Sequence, residues 1–484
     1  MSEIATRTTV TLIPGDGIGP EVVHATARLI AAAGADIEWD EQIAGREVFE
    51  AGIRTGIPQE TIDSIKATKC ALKGPLETPI GHGGKSANVT LRKLFETYAN
   101  TRPGRIYPGI VTPFSDRDID LVVVRENVED LYAGIEHMVT PGVAQGLKVI
   151  SAKGCEKIVR LAFEVARAQG RKKVTCVTKA NIMKLTEGML KRTFESVAEK
   201  FEDIETEYML VDNAAHQLVR RPEDFDVLVM TNMNGDILSD LVSGLCGGLG
   251  IAPGANIGRH ASIFEAVHGT APDIAGKDLA NPTATMLSAV EMLRHLGFYE
   301  EAEKMEGAIA MTLSEGPRTG DIAGDQKAVG TTEFTDAVIG NLGRSPAGWR
   351  VRQYRPLELP ILDPDPVFVR PKERRILGVD IFIDSGETPE ALGKALETLA
   401  DGSDLRLKLI SNRGQVVYPP TGAHTDCIDS WRCRFLARRA ESQLDDLKAL
   451  ELTTKIARHH VVAQMTMLNE IDKERAYTLA QGED

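Results

Sequence analysis

The nine residues Asn232-Met233-Asn234-Gly235-Asp236-Ile237-Leu238-Ser239-Asp240 decide the fold. They follow the apolar run Val227–Met230, which reads as a buried strand, and they lead into Leu238, Leu241, Val242 and Leu245 at helical spacing. A polar turn between a buried strand and an amphipathic helix predicts an open α/β sheet, and such sheets bind ligands at the carboxyl ends of their strands. With a helix starting near Gly235, Asp236 and Asp240 form an i, i+4 pair on one face. Two such carboxylates suit one hard cation, Mg²⁺ or Mn²⁺, and leave most of its shell to water and substrate oxygens. A structural reading stands beside this one, in which Asp236 complements the helix N-terminus and Asp240 is solvated. The crowding of two asparagines, a glycine and two acids at one strand end, with Gly244, Gly247, Gly248 and Gly250 close behind, shifts the balance toward a ligand.

Other strand ends repeat the pattern. The strand Asp120–Arg125 finishes on an arginine, with Tyr132 a few residues beyond; among several arginines that tyrosine is expected to have a lowered pKa, although tyrosines also serve as amphipathic packing residues. A helix over 153–169 precedes the strand Val174–Thr178, which ends in Lys179, with Asn181 next but one. Beside a cation, Lys179 would accept a proton; alone, it would be a snorkelling surface lysine. The strand Glu205–Val211 runs into Asp212, the third candidate carboxylate. Upstream, a Pro/Gly-rich loop ends at Ser86, a plausible N-cap, and the expected helix over 88–98 sets Asn88 and Arg92 one turn apart, with Arg102 just beyond. Each has an ordinary surface role available to it, but the set forms a carboxylate trap.

The N-terminal strand Thr8–Ile13 meets Pro14-Gly15-Asp16-Gly17-Ile18-Gly19-Pro20 and then a helix over 21–33. The glycines lack the third position of the dinucleotide fingerprint, so a tight structural turn is expected there rather than a Rossmann site. A second loop, His268-Gly269-Thr270-Ala271-Pro272-Asp273-Ile274, follows the strand Ser262–Val267 and precedes Asn281 and Pro282 at a helix start. Its backbone N–H groups and small residues suit a nucleotide, while an isolated His268 would more often be structural.

The 484 residues, 42% hydrophobic, are enough for two or three domains. A formal net charge of −14 argues against general binding to nucleic acid or an anionic membrane. Six scattered cysteines without a CxxC pair, no leader-like N-terminus and no long apolar run make a cytoplasmic protein the expectation. Prolines 346, 356, 360, 364, 366 and 371 mark a linker. The expected organisation is 1–343, a linker over 344–373, and a small α+β module over 374–484 for assembly or regulation, with two helical segments after Tyr418.

With these pieces in place, residues 8–343 resemble the metal-dependent isocitrate and isopropylmalate dehydrogenases. The resemblance is carried by NMNGDILSDLVSGLCGGLG and by KSANVTLR, whose Ser-x-Asn and Arg are isocitrate-like. The stretch RLKLISNRGQVVYPPTG resembles the extra domain of the long bacterial isocitrate dehydrogenases. The resemblance implies that family's two-lobed α/β sheet fold, not a Rossmann fold, and a homodimer with shared active sites that oxidatively decarboxylates isocitrate. Ser86, Asn88, Arg92, Arg102 and Arg125 would hold the substrate, with Thr78, Tyr132, Lys179 and Asn181 beside it. Asp236 and Asp240 would bind Mg²⁺ or Mn²⁺, while Lys179, Asn181 and Asp212 would come from the partner. Tyr132, Lys179 and Asp212 would be catalytic. Glu77, Thr78, His268, Gly269, Thr270, Ala271, Asp273, Ile274 and Asn281 would contact the cofactor. Relatives that use NADP carry Lys-Tyr where this chain has Asp273-Ile274, and an aspartate repels a 2′-phosphate, so NAD is expected. NADP preference and homoisocitrate as substrate are the alternatives. A non-catalytic regulatory subunit would lack Lys179 or an acid, and none is missing.

Overall fold

A computed structural model of the chain describes residues 8–77, 86–362, 369–439 and 444–483. Two units emerge: residues 8–132 with 149–362, and residues 133–148 with 369–483. The first is organised on β1 (Thr8–Ile13), β2 (Ile37–Glu41), β3 (Cys70–Lys73), β4 (Ala99–Arg105) and β5 (Asp120–Glu126). The hairpin β6 (Glu136–Thr140) and β7 (Val143–Gly146) groups with the second unit. The first unit then adds β8 (Lys173–Thr178), β9 (Glu205–Leu210), β10 (Val227–Met230), β11 (Pro253–Ile257) and β12 (Ser262–Ala266).

These ten strands form one mixed sheet in the order β2-β1-β3-β12-β11-β4-β5-β10-β8-β9. Its flanks are parallel and its centre, from β12 through β11 and β4 to β5, is antiparallel. On the second flank β5, β10, β8 and β9 are all parallel, so their carboxyl ends open on one edge. All four residues of β10 are buried, as expected of a strand covered on both faces by helices. The helix Asn232–Cys246 begins earlier than Gly235, and Asp236 and Asp240 lie within it one turn apart. Gly235 is required there because a Cβ would stand 2.6 Å from Cγ of Arg125, whose side chain lies across the helix.

Boundaries shift elsewhere for local reasons. The helix that carries Asn88 and Arg92 spans Ala87–Leu94, and Arg102 belongs to β4. Asp212 sits in the first turn of the helix Val211–Arg220 rather than at a strand's end. The Gly-rich turn after β1 is structural: Gly17 has φ +60°, its Cβ would overlap the Thr270 carbonyl at 2.0 Å, and Ile18 N–H donates to that carbonyl at 2.9 Å. Up to residue 362, the Pro-rich segment lies along the first unit. Trp349 stacks on Tyr107 at 5.5 Å, Arg352 pairs with Asp120 at 2.6 Å, and Arg355 N–H donates to Ala168 O at 2.8 Å.

In the second unit β13 (Arg374–Asp384), β14 (Leu405–Asn412), β15 (Gln415–Tyr418), β16 (Ser430–Ala437), β17 (Val461–Ile471) and β18 (Glu474–Arg475) form an antiparallel sheet in the order β15-β14-β16-β13-β17-β18. The helices Pro389–Ala400 and Asp446–Ala457 pack on it. The expected second helix after Tyr418 is absent among the described residues. That described stretch holds three strands and one helix, because the arginines between buried Trp431, Cys433 and Phe435 obscure a period of two. Among the described residues no helix is long and apolar enough to cross a membrane.

Candidate active site

The carboxyl edge of β5 and β10 gathers the expected arginines and acids. Arg125, 1% exposed, donates from Nε and Nη2 to Asn232 Oδ1 at 3.1 and 2.8 Å and from Nη1 to Asp236 Oδ1. The Tyr132 hydroxyl donates to the other oxygen of Asp236. Arg102 reaches across from β4, donating from Nη1 to Asp240 at 3.0 Å and Ser239 at 2.6 Å and from Nε to Asn100 at 2.7 Å. Asp130 accepts from Met233 N–H at 2.9 Å and so fixes the start of the helix that carries both acids.

The third arginine, Arg92, lies 3.3 Å from Glu265, which also pairs with buried Lys73 and accepts from Asn256 at 2.7 Å. Asn256 accepts from Asn100 at 2.9 Å and from Asn127 at 3.0 Å. A continuous polar chain therefore runs beneath the site from Lys73 on β3 to Arg102 on β4. None of Lys73, Asn100, Asn127, Asn256 and Glu265 was singled out in the sequence. The signal available was a lone Glu265 in the apolar strand SIFEA and a lone Lys73 closing CALK.

The charges do not balance inside the cup. Burial and then the neighbouring Arg102 pull the Arg125 guanidinium down to about 10, against the opposing pull of Asp236. Burial and then Arg92 lower Arg102 in the same way. Burial works to raise Glu265, but Lys73 and Arg92 override it and hold that carboxyl at about 2. Among the described residues, Asn88 Oδ1 and Arg92 Nε are buried without a hydrogen-bond partner. Buried polar atoms are nearly always satisfied, so an orphaned donor, Arg92 Nε, beside excess positive charge suits an anion in the site, while the orphaned acceptor, Asn88 Oδ1, calls for a donor such as a hydroxyl.

Tyr132 corrects one expectation. Its phenol is raised, not lowered, first by burial and then by the Asp236 carboxylate that accepts its hydrogen bond. Lys179 and Asp212 meet each other, Nζ to Oδ1 at 2.6 Å, and this contact lowers the Asp212 carboxyl. Asn181 is exposed on the turn after β8. Among the described residues no group of three or more His, Cys, Asp or Glu side chains gathers as a metal cage, so Asp212 does not join Asp236 and Asp240 within one chain.

Of the residues expected at the cofactor, Thr78 lies outside the described residues. Glu77 N–H donates to Asp16 at 2.7 Å, and its carboxylate is 3.8 Å from Arg46. Gly269, Thr270 and Ala271 lead into the turn Pro272–Ile274, with Ala271 held at φ +39°. His268 Nδ1 contacts the Gly269 carbonyl at 3.0 Å, while its buried Nε2 is without a partner among the described residues. Burial lowers that imidazole. Asn281 is occupied structurally, accepting from Thr283 N–H at 3.0 Å and donating to Asp321 at 2.9 Å. Asp273 is exposed, and Ile274 packs on the core.

Residues 9–338 match the family model for isocitrate/isopropylmalate dehydrogenase, and residues 374–483 match that for the bacterial isocitrate dehydrogenase, C-terminal domain. An isocitrate dehydrogenase [NADP] of Thermus thermophilus is 58% identical over 479 residues, 99% of this chain and 96% of that protein. The crystal structure of TT0538 protein, also from Thermus thermophilus, superposes with a TM-score of 0.95 at 57% identity, covering 100% of this chain and 98% of that one. The isocitrate dehydrogenase [NAD] catalytic subunit 5, mitochondrial, of Arabidopsis thaliana is 46% identical over 339 residues, 70% of this chain and 89% of that protein.

These matches overturn the expectation of an NAD-dependent enzyme, because the relative that matches the whole chain is named for NADP and the NAD-named one matches only part. The expectation rested on two neighbouring side chains, Asp273 and Ile274. Asp273 does not act alone in its turn: Lys277 Nζ donates to the Asp273 carbonyl at 2.7 Å, and a cation therefore stands beside the acid. Ile274, turned toward the core, says little about the ribose.

Proposed function

We propose a function from one premise: this chain belongs to the isocitrate/isopropylmalate dehydrogenase family. The chain oxidises and decarboxylates isocitrate to 2-oxoglutarate and CO₂ with NADP as acceptor and Mg²⁺ or Mn²⁺ as the metal. The observation that carries the substrate is the cup of Arg92, Arg102 and Arg125, in which two guanidiniums are lowered and Asn88 Oδ1 and Arg92 Nε are unsatisfied. A hydroxylated tricarboxylate supplies negative charge, a carboxylate acceptor for Arg92 Nε and a hydroxyl donor for Asn88 Oδ1.

The donor set fits a hard cation. Asp236 and Asp240 are partly open carboxylates one helical turn apart, and their present partners are arginines and a tyrosine that a substrate would draw away. The cofactor loop fits a nucleotide through the orphaned Nε2 of His268 and the small residues Gly269, Thr270 and Ala271. Held by Asp236 and Asp240, a divalent metal would supply Lewis acidity, and a nicotinamide cofactor in the His268–Ile274 loop would supply a hydride acceptor. Lys179 relays the C2 hydroxyl proton, giving one of its own to the Asp212 carboxylate that it meets at 2.6 Å as it takes the substrate's. Tyr132, held protonated by burial and Asp236, delivers a proton to the carbon that has lost CO₂.

A second copy of the chain completes this site with Lys179, Asn181 and Asp212. Supporting this, Met233 and Ile237 are exposed on the helix that carries Asp240, and Ile182, Met183 and Leu185 are exposed beside Lys179. Six unpaired thiols suit a cytoplasmic setting. Initial rates with isocitrate, Mn²⁺ and each nicotinamide test the reading. NADP is expected to give the higher kcat/KM; a higher value with NAD would overturn the cofactor, and no turnover with either would overturn the reaction.

A further inference from the structure

We propose that Glu187 is a positioning residue that ties the lysine one active site receives to the metal-binding helix of the other. Glu187 is 1% exposed in the first turn of the helix Thr186–Ala198, where a solvated acid would be ordinary. Instead its carboxylate bridges two strand ends. Oε2 accepts from Lys179 N–H at 3.0 Å and from Asn234 Nδ2 at 3.2 Å, and Oε1 accepts from Thr231 Oγ1 at 3.1 Å. Lys179 closes β8, while Thr231 and Asn234 open the helix that carries Asp236 and Asp240.

All three of these partners donate to the carboxylate, and a methionine of similar length removes both of its acceptors. Burial makes the arrangement exacting, since a displaced carboxylate would leave N–H groups unpaired at both strand ends. The consequence depends on the proposed dimer, in which Lys179 serves the partner's site and Asp236 serves its own. One carboxylate then sets the position of groups in two active sites, and a shift at one strand end is felt at the other.

Full-length hybrid dimers, one tagged chain of each kind, test this. A hybrid of Asp240→Asn with Lys179→Met has one doubly altered site and one intact site. It is expected to recover about half of the wild-type rate where neither parent dimer turns over; no recovery would sink the shared-site reading itself. Given that recovery, a hybrid of wild type with Glu187→Met is expected to fall about tenfold or more below wild type, because both sites lose a positioned group, within the usual range for an outer-shell partner. Half or more of the wild-type rate in that hybrid would overturn the proposal. Should Glu187→Met not fold, Thr231→Val removes one of the two helix-side contacts and leaves the Lys179 N–H bond in place. It is expected to raise the Mn²⁺ concentration for half-maximal rate severalfold with KM for NADP unchanged, and an unaltered Mn²⁺ requirement would overturn the link.

Discussion

The arginine cup at Asp236 and the arginine cluster in the second unit use the same parts to opposite ends. In the second unit Arg434 makes a two-pronged pair with Asp380 at 2.8 and 2.7 Å and meets Glu483 at 2.6 Å. Burial works to lower that guanidinium, and the two carboxylates override it and raise it. In the cup, burial and mutual repulsion prevail, and Arg125 falls to about 10 despite Asp236. One cluster is compensated by its own chain, whereas the other keeps a positive excess that only an added anion removes. Arg125 and Arg434 thus shift in opposite directions according to how far the carboxylates of their own chain offset burial.

The largest expected effect lies in the cup. Tyr132→Phe removes the proton donor, and kcat should fall by about 10²–10⁴-fold in steady-state rates. Because burial and Asp236 raise the Tyr132 phenol in the free protein, it stays protonated through neutral pH, and any basic limb of kcat/KM that belongs to it lies above the ordinary tyrosine value of about 10. A limb at lower pH that vanishes in the phenylalanine variant would break this part of the comparison.

Next comes the compensated cluster. Arg434→Met leaves Asp380 and Glu483 buried without their cation and should cost about 3–5 kcal/mol in denaturant unfolding of the second unit. The reverse is expected for Arg92→Met, whose Glu265 partner keeps Lys73. Here KM for isocitrate should rise by about 10–100-fold through one lost charge-assisted contact, with little change in stability. Equal losses of stability in the two variants would erase the distinction.

Acid titration separates the two units further. Glu265 is held at about 2, below its unfolded value of about 4.3, so it contributes stability that is complete above the unfolded value and is lost as pH falls through about 2. Glu265→Gln should flatten the acid unfolding of the first unit in that window, followed by circular dichroism. The smallest effect is at a helix end of the second unit: Asp445 accepts from Lys448 N–H at 2.9 Å, and Asp445→Ala should cost about 1 kcal/mol in thermal melts.

Legibility in the sequence followed how local each feature was. The strand, turn and helix over 227–246 could be read because β10 is apolar throughout and the helix repeats its leucines on one face. Arg125 and Tyr132 were found at and beyond a strand's end, and Asp236 with Asp240 and Asn88 with Arg92 by their one-turn spacing, whereas Arg102 lies in the middle of β4. The polar chain from Lys73 to Asn100 was not, since its members lie on β3, β12, β11 and β4, which adjoin only through the antiparallel centre of the sheet. The sign of the Tyr132 shift was missed because a carboxylate, rather than the arginines, takes its hydroxyl. Glu187 was passed over as an acid at a helix start, and Arg434 disguised a strand because its two carboxylates come from β13 and the chain's last residues.

The central claim is that the cup carries positive charge awaiting a tricarboxylate beside a divalent ion. The most direct test is the thermal midpoint of wild type and Arg92→Met with and without isocitrate and Mn²⁺. The expected result is equal midpoints for the two free proteins and a ligand-induced rise in wild type that is largely lost in the variant. An equal rise in both proteins, or no rise in wild type, would contradict the account.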